Sequence, residues 1–390
     1  MDVVSLCQDL IRIKSENPPG DTEEIVEYIR DFTTGIGIKT IITRKKGGRW
    51  NLVSAGAHNP LLLCGHVDVV PALADGWSVD PYSGVIREGQ VWGRGATDMK
   101  GGCASILWAC KTLADDGIVL PCDIAFVCDE ETSGTYGIRH LLEENLLRPC
   151  DCLIAEPTPP LNPNIGQKGL LRINFNFKGQ PGHSSLYPAK GVSAIMEACT
   201  LLQNLSDIHN RDYDPGGELS PIIDESFRIL EKEVGLSEGG NVLKRVMFNP
   251  GKITGGEKAN IVAQRCALEL DIRIPWGCSI PCLIEELSSH APGSDTEIVN
   301  SAEPSYTSPK DRVVKRLEME ISRVYDAPAS PIVSWAASDA RYLRKAGFSV
   351  IEYGPGDVSL LHAIDERVPL ESLHGTTEIY RGFIRAYCPE

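Results

Sequence analysis

The sequence predicts an α/β protein with a largely parallel sheet, interrupted by a smaller α+β unit of order βαββαβ. Three observations carry this. Between residues 61 and 155, short apolar runs alternate with stretches of helical periodicity, the pattern of a sheet covered by helices. Leu170–Phe177 instead alternates apolar and polar residues, as an antiparallel strand with one wet face does. From about residue 302 the first pattern returns. The expected organisation is therefore discontinuous: residues 1–166 and 302–390 form one domain, and 167–301 a second domain inserted into it. A length of 390 residues exceeds what one hydrophobic core usually serves, which agrees with two.

Taken in order, residues 2–14 and 22–34 read as helices, separated by the breaker Asn17-Pro18-Pro19-Gly20. Leu61–Val70 reads as a buried strand, Ser83–Trp92 as a hairpin and residues 103–114 as an apolar helix. Asp123–Cys128 is a strand, Tyr136–Asn145 a helix and Cys152–Ala155 a strand. In the inserted part, the strand at 170–177 is followed by a helix at about 190–205, strands at 243–248 and 261–273, a helix near 280–290 and a strand at 295–299. That order is the split βαβ sandwich. Residues 208–240 are rich in Gly, Pro and Asp around one helix at 221–234, and read as an extra segment. Helices at 310–325 and 371–386 and a strand at 349–353 close the chain.

Composition narrows the function. Apolar residues make up 42% and charged residues 23%, values of a soluble globular protein. A net charge of -15 repels phosphate backbones, so no nucleic-acid partner is expected. The opening MDVVSLCQDLIRIK lacks a basic start and an unbroken apolar run, so it is not read as a signal peptide. No apolar run reaches membrane-spanning length. The 13 cysteines are irregularly spaced, and no CxxC pair occurs among them. Reduced, buried thiols in a cytoplasmic protein are expected; a disulfide framework or a thiolate zinc site is the alternative.

Five segments carry chemistry. Gly65-His66-Val67-Asp68 ends a buried strand, the end where open α/β sheets bind ligands. Residues two apart on a strand point the same way, so Asp68 is expected to hydrogen-bond the His66 imidazole and fix its tautomer. Gly93-Arg94-Gly95-Ala96-Thr97-Asp98-Met99-Lys100-Gly101-Gly102 frames one aspartate with glycines. A phosphate loop is the alternative, but the spacing fits neither common phosphate motif and the central acid repels phosphate. Asp129-Glu130-Glu131 follows an apolar strand; acids there are costly if buried unless a cation neutralises them, and a solvated loop would carry the same triplet. Glu156 again follows an apolar strand, and His362 follows the turn Gly354-Pro355-Gly356. Together, two histidines and three carboxylates suit a pair of ions such as Zn²⁺, Co²⁺ or Mn²⁺.

The motifs GHVDVVP (65–71), GRGATDMKGG (93–102), DEET (129–132), EPT (156–158) and GHSS (182–185) occur in an order that resembles the M20 metallopeptidase/amidohydrolase family. That family includes acetylornithine deacetylases, succinyl-diaminopimelate desuccinylases, aminoacylases and glutamate carboxypeptidases. The resemblance spans essentially the whole chain. It implies a zinc-peptidase-like catalytic domain and a ferredoxin-like inserted domain that pairs two copies into a homodimer. By it, His66 and Glu156 hold one ion, Glu131 and His362 the other, and Asp98 bridges both. Asp68 orients His66, Glu130 is the general base, and the Asp98–Met99 peptide is cis. His183 becomes an oxyanion donor that reaches the partner's site. Asn260 and Arg273 become substrate contacts, Arg273 clamping a carboxylate; the plainer reading is that Arg273 pairs with Asp271. Ser338 matches a substrate-contacting Ser-Asp pair. The implied reaction is hydrolysis of the amide bond in a small N-acyl amino acid; a dipeptidase or carboxypeptidase is the alternative. Trp335-Ala336-Ala337 stands where many desuccinylases carry Gly-Gly-Thr, removing a hydroxyl that would hold a second carboxylate.

Overall fold

A computed structural model describes residues 1–388 except 57, 73, 74 and 236–240. The chain opens with helices α1 (Val3–Arg12) and α2 (Glu23–Gly35), then a hairpin of β1 (Thr40–Lys46) and β2 (Arg49–Ser54). The central strands are β3 (Leu61–His66), β6 (Cys122–Val127) and β7 (Asp151–Ile154). Between β3 and β6 lie the small hairpin β4 (Val85–Arg87) and β5 (Gln90–Trp92), then α3 (Gly101–Asp115); α4 (Ile138–Glu143) precedes β7. After β8 (Asn164–Gln167) come β9 (Gly169–Lys178), α5 (Ala194–His209), α6 (Leu219–Val234), β10 (Met247–Gly255), β11 (Arg265–Ile274), α7 (Ile280–Ser289) and β12 (Asp295–Ala302). The chain then returns through β13 (Ser305–Tyr306), α8 (Arg312–Tyr325), β14 (Ile332–Ser334), α9 (Ala340–Lys345), β15 (Ser349–Glu352), β16 (Arg367–Pro369) and α10 (Leu370–Arg385).

The large sheet runs β1-β2-β6-β3-β7-β15-β8-β13, with β14 also paired to β8. Its centre is parallel: β3 pairs β6 and β7, and β7 pairs β15, all in parallel. The flanks, β1–β2, β2–β6 and β8–β13, are antiparallel. Parallel strands share one direction, so the C-terminal ends of β3, β6 and β7 open on the same edge. Their residues are mostly apolar, with Asp123 and Asp151 near the strand starts and His66 at the end of β3, as a sheet covered on both faces requires.

The second sheet, β10-β11-β9-β12, is wholly antiparallel. Alternate residues Leu171, Ile173, Phe175 and Phe177 of β9 are buried in a core shared with α5 and α7. The intervening Arg172 and Asn176 leave the other face polar. This is the expected βαββαβ order with alternation as its cause. Helix α6 departs from that unit. Its Leu219, Ile223 and Leu230 are buried in the core of the large sheet, not in that of the second.

Differences from the sequence reading are local. The strand expected to reach Val70 ends at His66, and the strand expected at 243–248 runs Met247–Gly255. The hairpin β1–β2 and the short β8, β14 and α9 were not legible. Thr43-Arg44-Lys45-Lys46 and Arg49 break any apolar signal, and three- or four-residue strands give no period to read. The thirteen cysteines are all free. Among the described residues, no helix is long and apolar enough to cross a membrane.

Candidate metal centre

His66, the acids after β6 and Glu156 leave the large sheet at one edge because β3, β6 and β7 are parallel. Asp98 arrives from the loop before α3. Gly95 in that loop has a φ of 84°, and a Cβ there would sit 2.7 Å from Val69 Cγ1, so only glycine fits. A Cβ on Gly102 would run into the carbonyl of Ala155, which lets the start of α3 lie against the end of β7. The peptide Asp98–Met99 is cis.

The five residues meet. His66 Nε2 lies 3.0 Å from Asp98 Oδ1 and 3.7 Å from Glu156 Oε1. His362 Nε2 lies 3.3 Å from Asp98 Oδ2 and 3.1 Å from Glu131 Oε2. Each trio, His66–Asp98–Glu156 and Asp98–Glu131–His362, has ligand atoms within 4.8 Å of one another. Asp98 belongs to both and turns one oxygen to each histidine. Glu131 Oε1 is buried with no hydrogen-bond partner among the described residues, which is costly unless a cation sits there. Nitrogen and carboxylate donors in two trios sharing one aspartate fit a pair of divalent ions.

The electrostatics agree. Burial would raise Asp98, but His362 and His66 draw it well below the usual carboxylate range. Asp98 and then Glu131 hold the His362 imidazole up at about 10. Burial and neighbouring acids push Glu131 and Glu156 upward. Glu130 is raised by burial and by Asp339. Such a crowd of acids is short of positive charge, which dications would supply.

Supporting contacts differ from expectation in one respect. The His66 ring is held through Nδ1 by the backbone carbonyl of Asp68 at 2.8 Å, whereas the Asp68 carboxylate lies 3.6 Å away, beyond a hydrogen bond. That carboxylate accepts instead from Asn17 Nδ2 and from the N–H groups of Glu130 and Glu131. Asp68 thus ties β3 to the loop carrying Glu130 and Glu131. The strand ends at His66, so the alternation that would aim the Asp68 carboxylate at the imidazole does not continue to Asp68.

Several supporting residues were not foreseen. Asp129, with φ 72°, accepts from Arg49 Nη1 at 2.5 Å and from Asn17. Glu366 is fully buried and pairs with Arg94 at 2.6 Å. Arg94 also donates to the carbonyl of His362, whose φ is 60°. No sequence period marks such contacts.

A cleft of about 290 Å³ opens from this centre. Glu130, Arg273 and Ser338 line it, as do Arg172, Arg341 and Asn300. Arg273 Nε donates to Asp271 at 2.8 Å, so the arginine both pairs with its neighbour and faces the cleft. The Ser338 hydroxyl is turned inward, to Gln167 and Glu352. His183 and Asn260 do not line this cleft. They are neighbours elsewhere: His183 bridges to Ile261, the Ser184 N–H donates to the Asn260 carbonyl, and both residues are exposed.

The sequence profile of peptidase family M20/M25/M40 matches residues 62–386. The chain belongs to that family. As an M20 member it is a metal-dependent amidohydrolase. It is 28% identical to the succinyl-diaminopimelate desuccinylase of Nautilia profundicola, over 99% of this chain and 100% of that protein. It is equally 28% identical to the acetylornithine deacetylase of Vibrio vulnificus, over 96% of this chain and 95% of that protein. The M20 metallo-carboxypeptidase Sso-CP2 from Sulfolobus solfataricus superposes with a TM-score of 0.81 at 20% identity, covering 99% of each chain; that shows a shared fold.

Proposed function

We propose that this M20 enzyme hydrolyses the amide bond of a small N-acyl amino acid. The observation that carries the reading is Asp98, set between two ligand trios with one oxygen toward each. His66 and Glu156 would hold one ion, Glu131 and His362 the other. When bound, such a pair supplies an acidified water and a Lewis acid for the amide carbonyl; the donor set favours Zn²⁺, with Co²⁺ or Mn²⁺ also compatible.

Glu130 stands on the cleft wall beside Glu131. It takes the proton of the attacking water and returns it to the leaving nitrogen. Arg273, joined by Arg172 and Asn300, binds the substrate carboxylate through charge and a planar fork of donors. Ser338 acts on the substrate indirectly, by holding Glu352 of the cleft lining and, behind it, Gln167.

The same reading takes residues 167–301 as a dimerisation domain within a cytoplasmic homodimer, and 1–166 with 302–390 as the catalytic domain. His183 and Asn260 are exposed and away from their own chain's cleft; His183 would complete the partner's site as an oxyanion donor, with Asn260 as a substrate contact. Two relatives of equal identity, one named a desuccinylase and the other a deacetylase, support acyl removal. The resemblance to a carboxypeptidase supports the peptidase alternative.

The deciding experiment is a screen of metal-reconstituted enzyme against N-acyl amino acids and dipeptides, reading amine release. Turnover of N-acyl amino acids above dipeptides is expected. Turnover of dipeptides alone would replace this reading with the peptidase one.

A further inference from the structure

Helix α6 lies in the segment that interrupts the βαββαβ unit, yet it is built into the wall of the catalytic cleft. Leu219, Ile223, Ser226 and Leu230 fall on one face at helical spacing, and all four are buried. That face packs against β14 and the single turn 358–360. Among the described residues, strand β14 pairs with β8 on one side only. On its other side, the N–H of Val333 donates to the Ser226 hydroxyl at 2.9 Å. The helix therefore satisfies an edge strand that would otherwise leave a donor unpaired. It is fixed in place, and its last turn brings Leu230 to the cleft.

There Leu230 joins Ile332, Trp335, Val358 and Leu361 as cleft lining. Ile332 and Trp335 come from β14 and the residue after it, the strand that α6 holds. The cleft thus has two unlike walls. Arg172 and Arg273 of the second sheet, with Asn300 in register with Arg172, are cationic and polar. The α6 wall is apolar. Glu352, the cleft acid outside the ligand trios and Glu130, is spent on Arg344, Asn164 and Ser338. A cationic substrate side chain laid on the apolar wall would lose its water without gaining a partner.

We propose that α6 is a specificity element, and that the enzyme selects N-acyl amino acids carrying an apolar substituent beside the carboxylate. This rests on the N-acyl amino acid reading above and adds which members of that class are favoured. Leu230 is the residue through which the added segment sets the preference, and Val358, from the turn that α6 packs against, lines the same cleft.

The test compares kcat/KM for N-acetyl-leucine and N-acetylornithine on the metal-reconstituted enzyme, its Leu230→Ala and Leu230→Thr variants, and Val358→Asn, which is only half-buried. Wild type should favour N-acetyl-leucine by roughly tenfold or more, since the ornithine ammonium would lose its water against the apolar wall and find no partner there. Each variant should lower that ratio toward one, chiefly through KM for the leucine substrate. A wild-type preference for N-acetylornithine would overturn the inference. So would variants that slow both substrates by the same factor. If neither N-acyl compound reacts but dipeptides do, the N-acyl reading is what fails; the same variants on Ala-Leu and Ala-Lys then judge α6 by the same ratio.

Discussion

The buried carboxylate of Glu366 accepts the backbone N–H of Asp98 at 2.9 Å. The same carboxylate accepts from the N–H groups of Gly95 and Thr97 and from Arg94 Nη1. Arg94 in turn reaches the carbonyl of His362. One acid therefore fixes the loop that presents Asp98 and, through Arg94, the loop that presents His362.

Glu366→Gln replaces one of these oxygens by an amide nitrogen that faces donors. It also leaves the Arg94 charge buried without its partner, which typically costs about 3–5 kcal/mol. Metal affinity is expected to fall roughly 10–100-fold, the usual effect of losing a partner behind the ligands. Metal titration of the folded variant reads this directly. Unchanged affinity would mean that the loop is positioned by something else.

Glu130 lies beside the ligands without belonging to either trio. Glu130→Gln should keep both ions bound, as elemental analysis of the purified protein would show. Its kcat should fall by roughly 10²–10⁴, the range of one general acid–base contribution. Loss of metal together with activity would make Glu130 a ligand; near-normal turnover would remove it from the chemistry.

Lys168, at the junction of β8 and β9, donates to the carbonyls of Val242 and Arg245 at 2.7 and 2.6 Å. Burial, and Arg273 nearby, push its pKa down to about 7. A neutral amine has two protons for two carbonyls; charging it adds a buried cation. The folded pKa lies below the unfolded one, so between about 7 and the unfolded value the unfolded chain binds more protons, and stability rises with pH. Denaturant unfolding of wild type and Lys168→Met across this window should show a difference that shifts in favour of wild type as pH rises. A pH-independent difference would rule the titration out.

How much of this was legible follows from where each residue stands. Glu131 and Glu156 follow apolar strands and His66 ends one, and an acid or imidazole there is anomalous enough to be noticed. His362 and Asp98 needed their motifs, because neither ends a strand. Glu366 and Arg49 were invisible: their work is to accept or donate across some 270 and 80 residues of chain, which no local period records. The α6 segment could be seen as an addition, but its destination could not. Its apolar face is the same whether it covers the inserted unit or the catalytic cleft, and only packing decides between them.

His183 gives the sharpest test of the proposed dimer. It is exposed, bonded to the Ser185 hydroxyl through Nδ1 at 2.8 Å, and absent from the lining of its own chain's cleft. If it works in the partner's site, His183→Ala and Glu130→Gln each inactivate a homodimer for different reasons. In a mixed dimer, the site built on the His183→Ala subunit keeps its own Glu130 and receives an intact His183 from across the interface. The other site lacks both. Mixing the two inactive variants under exchange conditions should therefore restore about a quarter of wild-type activity, because half the dimers of a two-fold assembly are mixed and each has one sound site. Size-exclusion chromatography should show the dimer. Restoration would need subunit contact, so a monomeric protein, or a mixture that stays inactive after subunit exchange is demonstrated, would confine His183 to its own chain.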